Sequence, residues 1–81
     1  QESNETDDTI HLKELELLVT MVVEKMPPQR QKIYKMSRES RMNNEEIARE
    51  LSINKRTVEN HLSQALTDIR KALFITFILF F

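Results

Sequence analysis

The chain has 81 residues, no glycine, no cysteine, two prolines and a formal net charge of −1. That length makes one small domain with room for a single core, and the absence of cysteine excludes both a disulfide framework and a thiolate metal site, which fits a reducing compartment. With so few turn-forming residues strands are disfavoured, and the expected fold is all-α: a four-helix domain with a C-terminal helix-turn-helix.

Gln1 to Asp8 is polar and acidic without periodicity and reads as a disordered or linking segment. Asp8 or Thr9 then caps a first helix over about residues 9 to 25. Leu12, Leu15, Leu18, Val19, Val22 and Met26 form its apolar stripe. Pro27-Pro28 ends it, because the residue before a proline is pushed out of the helical region. Pro28 opens the next helix, where its missing N–H costs nothing. The second helix runs to about Arg38 or Glu39, burying Ile33, Met36 and part of Tyr34 and leaving Gln29, Arg30, Lys32 and Lys35 in water.

Ser40-Arg41-Met42 connects this helix to the stretch that organises the chain. Asn43, followed three residues later by Glu46, makes a capping-box pattern, and Ile47, Ala48 and Leu51 share one face of the helix it starts. Ser52-Ile53-Asn54 breaks that helix, and Asn54 caps a longer one beginning at Lys55. Val58, Leu62, Ala65, Ile69 and Leu73 are its buried stripe. The last eight residues, Phe74 to Phe81, are apolar at seven positions. They fall far short of the roughly 20 residues that span a bilayer, and left free they would be an aggregation hazard. They are therefore expected to pack, on the first helix or on a second copy of the chain, with an accident of processing or cloning as the third reading. The domain reading is a linker at 1–8, a helix-turn-helix domain at 9–73 and an apolar tail at 74–81. Gln1 in place of an initiating Met reads as the start of a fragment, and no signal peptide precedes the first helix.

The charge is split. Residues 1–28 carry seven acids against two lysines, a balance of −5, and residues 29–81 carry ten basic residues against six acids, a balance of +4. The C-terminal half is thus the one suited to phosphate. Arg56, Thr57, Glu59, Asn60, Ser63 and Gln64 lie on the polar side of the last helix, a set that suits the major groove. Arg56 fits bidentate pairing with guanine and Asn60 with adenine, while Glu59 can accept from cytosine N4 or orient its neighbours. Thr57, Ser63 and Gln64 are compatible with base or phosphate contact, or with a merely solvated face. Lys55 is placed as a phosphate clamp, and Asn44 has its backbone N–H at a helix start where a phosphate can sit. Arg70 and Lys71 extend the basic face or serve the helix C-terminal half. His61 reads as a flanking histidine, and with His11 it makes no familiar metal spacing. No nucleophile–base pair, carboxylate dyad or phosphate-cradling glycine loop is present, so no enzymatic activity, metal or cofactor is expected.

Together, Pro27-Pro28-Gln29-Arg30-Gln31-Lys32-Ile33-Tyr34, Asn44-Glu45-Glu46-Ile47-Ala48-Arg49-Glu50-Leu51, Thr57-Val58-Glu59-Asn60-His61-Leu62, Ala65-Leu66 and Ile69-Arg70 closely resemble region 4 of bacterial sigma-70 family factors, nearest to the extracytoplasmic-function (ECF) subfamily. The resemblance covers roughly residues 26 to 73. It implies a cytoplasmic transcription-initiation domain that reads the promoter −35 element and docks on the β flap of RNA polymerase, with an anti-sigma factor as a further partner. Carried over by position, the recognition helix starts at Lys55 and presents Arg56, Thr57, Glu59, Asn60 and Ser63. The family often has glycine where this chain has Arg41 and Ser52, so its turns are expected to differ slightly. The tail has no counterpart there; it or the first helix offers a homodimer surface. Two other readings share some of these words: a LuxR-type regulator's DNA-binding domain, which has the same Glu-Ile-Ala and Thr-Val-Glu-Asn-His sequences, and a helical protein-interaction module.

Overall fold

The computed structural model of the protein describes the backbone of residues 2–79 and the side chains of residues 12–79. Among them are four helices: α1 (Glu2–Glu24), α2 (Pro28–Arg38), α3 (Asn44–Leu51) and α4 (Lys55–Leu79). The molecule is elongated, with extents of 50 × 24 × 16 Å. α1 starts at Glu2, so residues 2–8, expected as a linker, are its first turns. Nothing in 2–24 is a helix breaker, and acids near a helix N-terminus favour its positive pole. Gln1, Phe80 and Phe81 lie outside the described residues.

The helix ends follow local chemistry. α1 closes through Lys25 N–H to Val22 C=O and Met26 N–H to Val23 C=O, each 3.1 Å, before the prolines stop it. Pro27 is extended (φ −54°, ψ 147°) and Pro28 is the first residue of α2, as the Pro-Pro pair implies. The α3 capping box is complete: Asn43 Oδ1 accepts from Glu46 N–H at 2.8 Å, and Glu46 Oε1 accepts from Asn43 N–H at 2.9 Å. Asn54 caps α4 by accepting from Arg56 N–H at 2.9 Å.

Both turns that flank α3 use a left-handed residue that is not glycine: Arg41 (φ 56°) and Ser52 (φ 55°). Ile53 N–H reaches Ala48 C=O at 2.9 Å across Ser52, closing α3 as a glycine-ended helix would. The chain keeps the turn and accepts a strain of about 1 kcal/mol or more at each position.

Two apolar clusters hold the helices. One joins Ile33 of α2, Ile47 and Ala48 of α3 and Val58 of α4, with Met36, Met42, Leu51, Ile53 and Leu62 packed around them. The other joins Val23, Met26, Ala65 and Ile69, with Val19, Val22, Tyr34 and Leu73 around them. The expected α1 stripe is thus corrected. Val23 is buried, Leu18, Val19 and Val22 are half-buried, and Leu12 and Leu15 are exposed, N-terminal to the α1 residues that reach a cluster. Arg30, expected in water, is only 19% exposed in its side chain. α4 runs without a break from the helix-turn-helix into the apolar tail, through Leu79.

Candidate nucleic-acid interface

The two faces of α4 have opposite chemistry. Val58, Ala65 and Ile69 are buried and Leu62 is half-buried, and these fix one side against α3, α2 and α1. At 100° per residue, Arg56, Asn60, Ser63 and Thr67 fall on the opposite side, and all four are exposed. α3 lies behind the first turns of α4 through the Ile47–Val58 cluster, so the polar face is pinned from the rear and open in front. The Asn54 cap leaves the amino end of α4 with Lys55 and Arg56 exposed beside a positive helix pole.

The eight residues singled out from the sequence separate into three groups. Lys55, Arg56, Glu59, Asn60 and Ser63 are exposed within about three turns of α4 and share one surface. Thr57 is half-buried, at the edge of that surface, and Asn44 is half-buried at the first position of α3, where a backbone N–H is left unpaired by the helix itself. Gln64 is exposed but bonded within the molecule. Its Oε1 accepts from Nη2 of Arg30, leaving its amide NH₂ as the group available outside. The same arginine donates through Nη1 to Asp68 Oδ2 at 3.0 Å in an ion pair whose side chains are 19% and 37% exposed. Arg30 therefore ties α2 to the middle of α4.

Two residues near this surface were not singled out for contact. Arg49 is exposed in the last turn of α3 and lines, with Glu45, Ser52 and Lys55, an open groove where α3 meets α4. Its signal in the sequence was only a basic residue at a helix end, which dipole stabilisation explains equally well. Thr67 extends the exposed face by one turn, although its hydroxyl also donates to Ser63 C=O at 3.0 Å. His61 is half-buried, with Nδ1 enclosed and unpaired among the described residues, so it flanks the contact face instead of leading it. Among the described residues no helix is long and apolar enough to cross a membrane.

A polar helix face with a cationic amino end, held from behind by a second helix across a three-residue break, is the geometry by which helical proteins enter the DNA major groove. The family model described as Sigma-70, region 4 matches residues 16–69, more than half of the chain. No curated protein and no solved structure matches it.

Proposed function

The chain belongs to the sigma-70 region 4 family, and on that premise we propose that it is the promoter −35-recognising domain of an ECF sigma factor. Region 4 is a DNA-binding family that takes part in promoter recognition with RNA polymerase and is not enzymatic. The observation that carries the finer reading is the exposed row Arg56, Asn60 and Ser63 opposite buried Val58, Ala65 and Ile69 on one helix.

In this reading Arg56 pairs with a guanine edge and Asn60 with an adenine, while Lys55 and the α3 amino end at Asn44 hold phosphates. Thr57, Glu59 and Ser63 fill the remaining register, and the amide of Gln64 reaches the flank. The domain acts in the bacterial cytoplasm, docks on the polymerase β flap and is a target for an anti-sigma factor. Alone it binds DNA weakly, since it makes one module's worth of contacts.

The test is selection of duplexes from a random pool by the purified chain, followed by fluorescence anisotropy on the selected sequence. Arg56→Ala lowers affinity for that sequence roughly tenfold or more and relaxes one base position. Lys55→Ala weakens all duplexes alike and lowers the salt slope by about one. A pool that yields no shared sequence, or an Arg56→Ala variant that binds as the parent does, overturns the reading. A second titration, of the isolated β-flap tip of RNA polymerase, gives saturable binding if the domain serves a holoenzyme and none if it does not.

A further inference from the structure

Every large apolar side chain that is exposed among the described residues lies either on α1 between Leu12 and Met21 or on α4 after Leu73, at 46% to 76% exposure. The helix-turn-helix body exposes none. We propose that these stretches of α1 and α4 form the interface of a homodimer, with α1 of one copy on the α4 tail of the other.

Three observations select a second copy as the occupant. The first is area. At 100° per residue about half of the nine exposed side chains share one side of their helices, and at on the order of 100 Å² each they offer roughly 450 Å² per copy, the size of a weak, reversible contact. The second is charge. The exposed Leu15 and Leu17 of α1 stand among Glu14 and Glu16, with Lys13 the one opposing charge between Leu12 and Met21, whereas Arg70 and Lys71 stand one turn before Phe74 on α4. Laying α1 on the partner's α4 sets carboxylates near cations, while α1 on α1 would oppose like charges. A two-fold axis makes this exchange twice, as a self-complementary interface requires.

The third observation is what the patch lacks for other occupants. α4 has no basic residue after Lys71, and the Leu12–Met21 stretch of α1 carries two carboxylates against one lysine, so an anionic lipid surface finds only Arg70, Lys71 and Lys13, fewer than the cluster of four or more cations that such surfaces select. Pairing through these stretches leaves Arg56, Asn60 and Ser63 free, because none of them belongs to the patch. The inference stands apart from the promoter reading, and each can fail without the other.

Sedimentation equilibrium of the 9.7 kDa chain over a concentration series tests it. The expected result is a reversible monomer–dimer equilibrium that saturates at twice the chain mass. Phe74→Glu combined with Ile78→Glu abolishes the dimer while circular dichroism stays helical, since both side chains are exposed in the single copy. Lys71→Glu weakens the dimer several-fold, and adding Glu14→Lys restores it. A chain that stays monomeric throughout, or that grows past the dimer without saturation, overturns the proposal. So does a Phe74→Glu, Ile78→Glu chain that dimerises unchanged, a double charge swap that restores nothing, or a chain that leaves the dimer for phosphatidylglycerol–phosphatidylcholine vesicles.

Discussion

α4 is one continuous helix, yet its two ends obey different rules. From Lys55 to Leu73 it is amphipathic, with a buried stripe and a polar face; from Phe74 to Leu79 only Thr76 is polar. The same contrast divides the molecule. Ile33, Ile47 and Val58, the three large side chains with no exposure, all belong to the helix-turn-helix body. Among the described residues the large exposed apolar side chains all belong to the outer stretches of α1 and α4. A body that closes its own core can spend its surface on reading DNA, whereas stretches that do not close one point to a surface outside the single copy.

The sharpest way to break this comparison is to place one substitution on each side of it. Ile47→Ala removes a side chain with no exposure from the α2–α3–α4 cluster. It should cost about 2–4 kcal/mol, as the transfer and cavity terms add. Urea denaturation followed by circular dichroism reads this directly. In a domain of this size much of the total stability is at stake, and a loss below about 1 kcal/mol would mean that the cluster is not the core of the body.

The body was legible because its signals are local. Asn43 and Glu46 sit three residues apart, Pro28 marks its own helix start, and Asn54 stands one residue before Lys55. The structure has each of these where the spacing puts it. The α4 stripe could be read for the same reason. What could not be read needed a partner far along the chain. Arg30 is an ordinary surface arginine by its neighbours, and only the fold brings Gln64 and Asp68 to it. Leu12 and Leu15 continue the periodicity of Val19, Val22 and Met26, but periodicity does not say where the opposing helix stops supplying buried contacts. Likewise, Arg41 and Ser52 looked like departures from a glycine turn, and the backbone takes the left-handed conformation regardless. Of the contact face, the exposure of Arg56 and Asn60 was legible, whereas the internal bond of Gln64 was not.

The body's reliance on local closure can be measured at its caps. Asn43→Ala removes the acceptor for Glu46 N–H and should destabilise the domain by about 1 kcal/mol. Glu46→Ala breaks the reciprocal half of the box and should cost less. Thermal melts of the two variants and their double mutant should show non-additive losses, because the two bonds share one turn. Additive losses would show that the two bonds act independently.

A gain is expected at Ser52. Glycine enters the left-handed region without the Cβ clash, so Ser52→Gly should relieve native strain while costing some unfolded-state entropy. The net is a stabilisation of roughly 0.5 kcal/mol, seen as a higher denaturant midpoint with an unchanged slope. A destabilised variant would locate the compensation for the turn in the serine side chain.

The smallest effect belongs to the outer stretch of α1. Leu17 is 61% exposed and lies outside both clusters. Leu17→Gln keeps a good helix former and removes little burial within one copy. Measured on dilute protein, its stability should stay within about 0.5 kcal/mol of the parent, as for surface changes that touch no core, cap or buried pair. The same substitution is then a probe of concentration. If the outer stretches close on a second copy, the parent gains stability as its concentration rises and Leu17→Gln gains less, because its weaker dimer draws less of the native state in by mass action. A large loss already present in dilute protein would place Leu17 inside the single copy's core and erase the division between the two regions.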